Sequence, residues 1–352
     1  MDEPFPYQNL LVIRPRFIGD LILATGLAMT SKETRPGAKV TFLADAPFAE
    51  LLQGHPAIDE VLEFDPNRKN NLPYLWRFLR ELRAKKFDAV LDLFGNPRTA
   101  QWTYFSGAKA RVGYKLRGRS WAYNRVAPPS SPMLPSGRRP VTEAYLDQWR
   151  ALGYPSPAKY WTSLFVPEEE RAHARKLLER AQLQTGEKVM ALCPGASHPA
   201  KQWPLEKFVE LARRLSGQGV RPLFLFGPKD RESADRLVPM LEGGWVFVKE
   251  PTLRGLAALI QASQLLVSND AGPMHVGPAV GTPTVGIFGP GEPEIWFPYG
   301  PPHQYAYREI SCSHCGHDVC PLPKLDCMDQ LGVEDVEALV RQALGLKPAS
   351  KT

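Results

Sequence analysis

The sequence predicts an α/β protein made of two Rossmann-like domains, each with a doubly wound parallel sheet. Short runs rich in Leu, Val and Ile alternate with longer amphipathic stretches along the whole 352-residue chain. Runs such as LLVI at 10–13, VMAL at 189–192 and LFLF at 223–226 are apolar without alternation, which is typical of parallel strands covered by helices on both faces. The series stops once, at the proline-rich loop Pro128–Pro140, and starts again at Lys188.

These boundaries predict a first domain over 1–165, a linker helix over 166–184 and a second domain over 185–330, followed by a C-terminal helix and tail over 331–352. Ligands of such sheets bind beyond the carboxyl ends of the strands. We therefore expect the chemistry at the strand-end loops, in a cleft across which the two domains face each other.

Each apolar run bounded by turn residues is predicted as a strand, and each stretch with apolar residues at helical spacing is predicted as a helix. The predicted strands are Asn9–Arg14, Lys39–Ala44, Glu60–Phe64, Phe87–Leu93, Lys188–Cys193, Val220–Phe226, Trp245–Val248, Leu265–Ser268 and Thr284–Phe288. The predicted helices are Asp20–Glu33, Ala46–Gln53, Tyr74–Lys86, Arg98–Phe105, Thr142–Leu152, Glu168–Ala181, Leu205–Leu215, Arg231–Leu241, Leu253–Ala262, Met274–Val280 and Val333–Leu344.

Composition and charge limit the classes of protein to which the chain can belong. With 43% hydrophobic and 23% charged residues the chain is ordinary for a globular protein. No apolar run approaches the roughly 18 residues of a membrane span, and the acidic N-terminus does not have the pattern of a signal peptide. The net charge of +6 favours an anionic partner: nucleic acid, an anionic membrane surface or a phosphorylated substrate. No nucleic-acid-binding motif is present, so we expect no nucleic acid.

Basic residues are concentrated between Arg111 and Arg139, where Asp and Glu are absent and aromatic residues are interleaved. This stretch is either a solvated loop or a surface that receives an acidic acceptor. The basic residues are Arg111, Lys115, Arg117, Arg119, Arg125, Arg138 and Arg139, and the aromatic residues are Tyr114, Trp121 and Tyr123.

The first predicted strand runs directly into RPRFIGD at 14–20 and then into a helix. Gly19 would permit a tight strand-to-helix turn. Asp20 would follow it, either as the N-cap of the helix or as a carboxylate base at the mouth of the sheet. No G-x-G-x-x-G follows the strand, which disfavours a nicotinamide cofactor.

Two loops of the second domain suit a nucleotide. In PGASHPAKQWP at 194–204, a turn of small residues that includes Ser197 precedes Lys201. Lys201 either binds a phosphate or is a solvated lysine, and the spacing is not that of a P-loop. After the strand at 220–226, Asp230 or Glu232 begins a helix and either accepts ribose hydroxyls or only complements the helix dipole.

The strongest local pattern is SNDAGPMHVGP at 268–278. Asp270 and Gly272 belong to a small-residue turn that leads into a helix, and the N-terminus of such a helix can bind a diphosphate. His275 lies in the same helix. The pattern could also serve packing alone, with His275 as a core histidine.

Four of the five cysteines form a C-x2-C-x4-C-x6-C pattern, namely Cys312, Cys315, Cys320 and Cys327. Four thiolates at this spacing could hold a structural zinc ion, or they could remain free or redox-active thiols. The scarcity of cysteine elsewhere indicates a reducing compartment.

Three segments together resemble a known family in their order and spacing. They are RPRFIGDLILATG at 14–26, PGASHPAKQWP at 194–204 and SNDAGPMHVGPAVGTPTVGIFGP at 268–290. They look like the ADP-heptose:lipopolysaccharide heptosyltransferases of glycosyltransferase family 9, and the resemblance covers nearly the whole chain. It implies the GT-B fold, with the acceptor on the first domain and the nucleotide-sugar on the second.

The resemblance also implies an activity: inverting transfer of heptose from ADP-heptose to a phosphorylated lipopolysaccharide inner-core acceptor, with no cofactor for catalysis. Asp20 would deprotonate the acceptor hydroxyl and Lys201 would bind the donor phosphates. The further donor contacts would be Ser197, Asp230, Glu232, Asp270, Gly272 and His275, and the acceptor contacts would be Arg14, Arg16 and Arg98. The enzyme would be cytoplasmic and peripheral to the inner membrane.

Some relatives of this kind hold iron with cysteines, so iron is the alternative to zinc at the four cysteines. Other functions stay open as well: glycosyl transfer to a protein or another glycan, epimerisation of a nucleotide-sugar, or binding of one without catalysis. An epimerase would act on the donor alone, and a binder would tolerate the loss of Asp20.

Overall fold

The computed structural model describes residues 6–127, 139–182, 186–249 and 251–348. The chain divides into two units, Met1–Phe165 and Val166–Thr352. Each unit is built on a six-stranded sheet in which every paired strand is parallel. The predicted doubly wound α/β class is therefore confirmed.

The first unit contains six strands and five α-helices in its described part. The strands are β1 Asn9–Ile13, β2 Lys39–Asp45, β3 Glu60–Phe64, β4 Ala89–Asp92, β5 Ala110–Tyr114 and β6 Arg125–Ala127. The helices are α1 Ile18–Thr34, α2 Ala46–Ala49, α3 Leu72–Ala84, α4 Pro97–Phe105 and α5 Val141–Ala151. The strand order is β3-β2-β1-β4-β5-β6, so the winding reverses between β1 and β4.

Helices α3 and α4 cover one face of this sheet. In α3, Tyr74, Phe78 and Leu82 recur at helical spacing and pack into a core that also contains Phe64 of β3 and Trp102 of α4. Helices α1 and α5 pack together as a second pair. Burial under helices explains why β1 and β4 consist of apolar residues without alternation.

The second unit repeats the arrangement. Its strands are β7 Lys188–Cys193, β8 Val220–Phe226, β9 Val246–Lys249, β10 Leu265–Asn269, β11 Thr284–Phe288 and β12 Gln304–Tyr307. Its helices are α6 Glu168–Arg180, α7 Leu205–Ser216, α8 Arg231–Leu237, α9 Leu253–Gln261, α10 Gly272–Val280, α11 Pro293–Trp296, α12 Asp326–Asp329 and α13 Val333–Leu344. The strand order is β12-β11-β10-β7-β8-β9, and the winding reverses between β7 and β10. The helix predicted as a linker, α6, belongs to this unit and packs against α9.

The sequence missed three strands, β5, β6 and β12. The interpretation of the basic stretch as a loop is therefore wrong at β5 and β6, which pair in register with the rest of the first sheet. Arg138 and most of the predicted proline-rich loop lie outside the described residues. In the described ranges, no helix is both long and apolar enough to cross a bilayer.

Candidate functional site

Each sheet has one point where its winding reverses, and polar side chains gather at both. In the first sheet, Ile13 of β1 pairs with Asp92 of β4, so the loops that follow these two strands start side by side. Arg14 joins them: its Nη1 donates to the Leu93 carbonyl at 2.9 Å. The crevice at such a point is where doubly wound sheets bind their ligands.

Asp20 lies next to this arginine. The Arg14 Nη2 atom is 2.5 Å from Asp20 Oδ1, and the Asp20 side chain is 13% exposed. Asp20 is the third residue of α1, whose N-cap position is Phe17, so the interpretation of Asp20 as an N-cap is wrong. Its carboxylate is directed by an ion pair and remains reachable by a ligand.

A second donor fixes the same carboxylate. The Tyr145 hydroxyl, on α5, donates to Asp20 Oδ1 at 3.2 Å. Burial raises the pKa of Tyr145 well above its usual value, so this hydroxyl keeps its proton. Burial would lower the pKa of Arg14, but Tyr145 and Asp20 outweigh it and the net change is upward. Asp20 therefore has two permanent donors.

The turn between β1 and α1 is strained at Phe17 rather than relaxed at a glycine. Phe17 has φ +72° and ψ 120°, and its side chain is 54% exposed. A non-glycine residue at such a φ costs free energy and is common at functional sites. The sequence assigned this turn to Gly19, which is wrong because Gly19 lies buried inside α1.

The three arginines predicted to bind the acceptor do not have equal surroundings. Arg14 is buried and its guanidinium is engaged with Asp20 and Leu93. Arg16 is exposed and Arg98 is half-buried. Burial raises the pKa of Asp45, at the end of β2, and the charges of Arg98 and Arg16 oppose that rise. Both arginines therefore lie within electrostatic range of the same carboxylate. Arg16 and Arg98 thus share one edge of the sheet, and Arg14 orients Asp20.

In the second sheet the reversal point holds Lys201 and Asp270. The Lys201 Nζ atom is 2.7 Å from Asp270 Oδ2, with the lysine side chain 25% exposed and the aspartate 6% exposed. One ion pair uses one of the three N–H groups of an ammonium. The structure therefore joins two residues that the sequence placed in separate motifs.

Asn269 holds the loop that carries Lys201, and the sequence analysis gave it no role. Its Nδ2 donates to the Pro194 carbonyl at 2.6 Å, and its Oδ1 accepts from the Trp203 amide at 3.1 Å. Asn269 is fully buried at the end of β10. In the sequence, a polar residue at the end of a buried apolar strand was the signal that could have identified Asn269.

Two glycines let backbone approach the acidic residues closely. A Cβ at Gly291 would lie 2.4 Å from Asp270 Oδ2, and a Cβ at Gly195 would lie 2.2 Å from the Asp230 carboxylate. Asp230 also accepts from the Gly227 amide at 3.0 Å, and burial raises its pKa. Asp230 therefore belongs to the loops at this sheet edge.

The remaining predicted donor contacts differ in exposure. Ser197 and Glu232 are exposed, in the turn after β7 and in the first turn of α8. Gly272 is the first residue of α10, directly after Asp270 and Ala271. His275 is buried in α10, with its Nδ1 atom 2.9 Å from the Tyr299 hydroxyl. The start of α10 therefore lies beside the Lys201–Asp270 pair.

The four clustered cysteines line one small cavity together with His317. Burial raises the pKa of Cys327 to about 11, which favours a protonated thiol. Among the described residues, no group of three or more Cys, His, Asp or Glu side chains is arranged to hold a metal ion. The zinc site predicted from the spacing, and its iron alternative, are therefore not supported.

The cysteine-rich segment does have a structural contact with the Lys201 loop. The Ala200 amide donates to the Asp318 carbonyl at 3.2 Å, and the Gly316 amide donates to the Pro290 carbonyl at 3.1 Å. The segment thus packs on the loops after β7 and β11.

Comparisons with known proteins agree with this geometry. Residues 75–326 match glycosyltransferase family 9 (heptosyltransferase). Lipopolysaccharide heptosyltransferase 2 of Escherichia coli strain K12 is 27% identical over 329 residues, which cover 86% of this chain and 88% of that protein. The family 9 glycosyl transferase of Veillonella parvula superposes with a TM-score of 0.83 at 24% identity, covering 96% of this chain and 97% of the other. The ADP-heptose lipopolysaccharide heptosyltransferase II of E. coli superposes with a TM-score of 0.77 at 23% identity, covering 96% and 98%. The fold is of the GT-B type, as predicted.

Proposed function

The chain belongs to glycosyltransferase family 9, the heptosyltransferases, and on that basis we propose that it moves heptose from ADP-heptose to a phosphorylated lipopolysaccharide inner-core acceptor. It is a glycosyltransferase, which decides against the epimerase and the non-catalytic binder that the sequence left open. The donor, the acceptor and the stereochemistry belong to the proposal, as do the residue roles that follow.

The donor diphosphate is assigned to Lys201 and the start of α10. The ammonium and the first N–H groups of the helix can both stabilise the negative charge of a leaving diphosphate. We assign Asp230 to the ribose hydroxyls, and Asp270 and His275 to the sugar, since each lies in a loop or helix that follows a strand of the second sheet. The similar E. coli structure is described as an ADP-heptose heptosyltransferase, which supports adenosine diphosphate as the leaving group.

Asp20 is assigned as the general base. As the acceptor hydroxyl oxygen attacks C1 of heptose, Asp20 takes the hydroxyl proton. The bond from C1 to the diphosphate oxygen breaks, and its electron pair leaves with ADP. Attack on the face opposite to ADP inverts the configuration at C1. Arg14 and Tyr145 hold the carboxylate for this step.

We propose that the transfer needs no metal, because an ammonium and the N–H groups of a helix start can stabilise the leaving group. The charge that needs stabilising is that of departing ADP, and preorganised donors at such a position are typically worth about 10²–10³-fold in rate. We propose that Lys201 and the start of α10 are those donors.

Arg16 and Arg98 are assigned to the acceptor. Both lie within electrostatic range of the buried Asp45, at the carboxyl edge of the first sheet. Asn96 caps α4 through reciprocal hydrogen bonds with Thr99, and Arg98 lies in the first turn of that helix. Two guanidinium groups at one edge suit a phosphorylated sugar. An acceptor of this kind is lipid-linked, so we also propose a cytoplasmic protein in peripheral contact with the inner membrane.

The observation that carries the proposal is the Asp20 carboxylate with its two fixed donors, and Asp20→Asn tests it. A positioned base contributes about 10²–10⁴-fold in rate. We therefore expect Asp20→Asn to lose at least about 100-fold in acceptor-dependent ADP release, with ADP-heptose affinity by calorimetry nearly unchanged. Asp59→Asn is the control, since Asp59 pairs with Lys32. Near-native turnover of Asp20→Asn would overturn the assignment.

Lys201→Ala tests the donor site in the same assays. The variant should weaken ADP-heptose binding as well as turnover, whereas Lys176→Ala, at an exposed position of α6, should change neither.

Thermal unfolding with a panel of ADP-, UDP- and GDP-sugars tests which nucleotide the donor contains. Stabilisation by UDP-sugars alone would contradict an ADP-sugar donor. Transfer to a protein or another glycan stays the alternative, and it requires turnover with that acceptor and none with the lipid-linked one.

A further inference from the structure

The first unit carries exposed aromatic side chains on the outer side of α3 and α4. Trp76 is 62% exposed, Trp121 52%, Tyr104 46% and Phe105 45%. The Tyr104 and Trp121 rings meet edge to face with their centres 5.2 Å apart. Large aromatic side chains grouped at the surface commonly mark a binding surface.

Two arginines that lie three residues apart on α3, and so are neighbours on its surface, link Trp76 to the aromatic residues of α4. The Arg80 guanidinium lies 4.5 Å from the centre of the Trp76 ring. Arg83, one turn further along α3, places Nη1 3.5 Å from the Phe105 carbonyl. Phe105 is next to Tyr104 in the chain, and their rings are 5.5 Å apart. The four aromatic residues therefore belong to one continuous face.

The same face is positively charged. Arg77, Arg80 and Arg83 are exposed on α3, whose only acidic residue is Glu81. Over the described ranges, no carboxylate forms an ion pair with any of these three arginines. The Arg111 guanidinium lies 5.6 Å from the centre of the Tyr104 ring. We call this surface the aromatic–basic face, consisting of Trp76, Tyr104, Phe105 and Trp121 with Arg77, Arg80, Arg83 and Arg111.

We propose that the aromatic–basic face binds the surface of an anionic phospholipid membrane. Tryptophan and tyrosine rings settle at the level of lipid headgroups, where an apolar ring and a polar edge are both satisfied. Each Arg near an anionic surface contributes about 1 kcal/mol of attraction. Nearly uniform positive charge suits a sheet of negative headgroups better than a second copy of the chain, which would bring the same charge.

The face gives the lipid-linked acceptor a route to the site, a consequence that rests on the proposed function. Arg98 is the second residue of α4 and Tyr104 and Phe105 end it, so the acceptor arginine and part of the face share one short helix. Membrane binding itself is a property of the protein alone. It can therefore be measured without donor, acceptor or turnover.

Sedimentation with vesicles tests the proposal. The full chain is mixed with phosphatidylcholine vesicles, with or without phosphatidylglycerol, at low and at high salt. We expect binding only to vesicles that contain phosphatidylglycerol, weakened by salt, with a blue shift of tryptophan fluorescence.

Two variants remove the two contributions separately. Trp76→Ser with Trp121→Ser should weaken binding roughly tenfold or more, and changing Arg77, Arg80 and Arg83 to Gln should do the same or more. Trp161→Ser is the matched control, since Trp161 is 43% exposed in the same unit outside this face. Thermal unfolding and ADP-heptose binding of all variants should stay at the level of the unchanged protein.

Three results would overturn the proposal. The first is equal binding to neutral vesicles, and the second is full binding by both variants. The third is a protein that does not bind vesicles but dimerises with rising concentration, with the dimer lost in the tryptophan variant. That third result would show that the face serves self-association. Because donor affinity is measured on the same variants, failure here is distinguishable from failure of the proposed transferase activity.

Discussion

The position of Asp20 depends on residues that are distant from it along the chain. Tyr145 is 125 residues away and reaches Asp20 from α5. Arg14 is nearer, yet its own orientation is set by the carbonyl of Leu93, 79 residues further on. A carboxylate held by donors from two other segments is preorganised for the proposed proton transfer, because it need not reorient to accept the proton.

Tyr145→Phe should therefore lower kcat and leave KM for both substrates nearly unchanged. The variant keeps the ring, whose centre is 6.0 Å from the Arg14 guanidinium, and removes only the hydroxyl that donates to Asp20. Hydrogen bonds to a charged group contribute about 1.5–3 kcal/mol, and this one is long, so we expect a loss of roughly tenfold. Steady-state kinetics on ADP release measures it.

Tyr114→Phe is the matched control for this prediction. Tyr114 donates to the Ala144 carbonyl at 3.2 Å, on the same helix as Tyr145, and makes no hydrogen bond to Asp20. An equal fall of kcat in both variants would mean that removing either tyrosine hydroxyl disturbs the site to the same extent. Tyr145 would then have a purely structural role.

At the scale of single residues, strand-end position is the property that sequence could exploit. Asp20, Lys201 and Asp270 each follow a strand, and the rule that ligands bind beyond strand ends selects such residues. Asn269 ends a buried strand and so satisfies the same rule, whereas Tyr145 lies inside a helix, where no local pattern separates it from packing residues. Their roles arise from contacts across the fold, which periodicity does not contain.

At the scale of elements, the loop after β11 packs against Asp270 of the proposed donor site. Gly291 lies directly against Asp270, and a Cβ there would lie 2.4 Å from Oδ2, closer than real Cβ atoms approach. Gly291→Ala should displace the carboxylate and its ion pair with Lys201. We expect ADP-heptose affinity, measured by calorimetry, to fall roughly tenfold, the effect of losing about one charge-assisted hydrogen bond.

Gly300→Ala serves as the control, because a Cβ at Gly300 meets nothing within 4 Å and its φ is not in the left-handed region. Comparable loss of affinity in both variants would show that the segment is generally intolerant. The close approach of Gly291 would then have no particular importance for the donor site.

Sequence patterns predicted strands that are continuous apolar runs between turn residues and missed strands without that pattern. The buried strands β7, β8 and β11 are found over the predicted ranges, because their apolar runs are bounded by turn residues. The sequence missed β6, which has only three residues, begins with an exposed Arg and lies at the edge of its sheet. A short, exposed edge strand lacks the two-sided burial that makes central strands apolar, so hydropathy did not reveal β6.

At the scale of the whole molecule, both units place polar groups where their winding reverses. Both sheets have the same strand order, counted from the first strand of each unit. The two units differ in the side chains at this point: an acidic group with arginines in one, and a lysine–aspartate pair with a helix start in the other. Topology could be predicted from alternation of strands and helices, but the pairing of Lys201 with Asp270 could not.

The first unit contains a buried histidine outside the proposed site, and we expect its stability to depend on that residue. His55 is 2% exposed, and its Nδ1 accepts from the Ala57 amide at 3.1 Å. Its Nε2 therefore carries the proton and donates to the Ser163 hydroxyl at 2.7 Å. This pair joins the loop after α2 to the last residues of the unit. A proton on Nδ1 would abolish the bond from Ala57 and bury a charge.

Lowering the pH should therefore destabilise the protein below about pH 6.5. Burial lowers the pKa of His55 to about 4, against an ordinary value of 6.5. Between these values the unfolded chain binds a proton that the folded chain does not, so unfolding is favoured as pH falls and stability is recovered as pH rises. From about pH 7.5 to about pH 5 the loss from this residue is about 2 kcal/mol, since each pKa unit corresponds to about 1.4 kcal/mol.

Urea unfolding at the two pH values, with His55→Gln and the exposed His173→Gln compared with the unchanged protein, isolates this contribution. The His55→Gln variant should be less stable at neutral pH, because the hydrogen bonds of the imidazole are lost or changed. Since glutamine does not titrate, the free energy of unfolding of this variant should fall by about 2 kcal/mol less on acidification. His173→Gln should follow the unchanged protein at both pH values, because an exposed histidine titrates alike in the folded and unfolded states. If all three proteins lost stability equally, carboxylates would account for the acid sensitivity and His55 would titrate near its ordinary value in the folded chain.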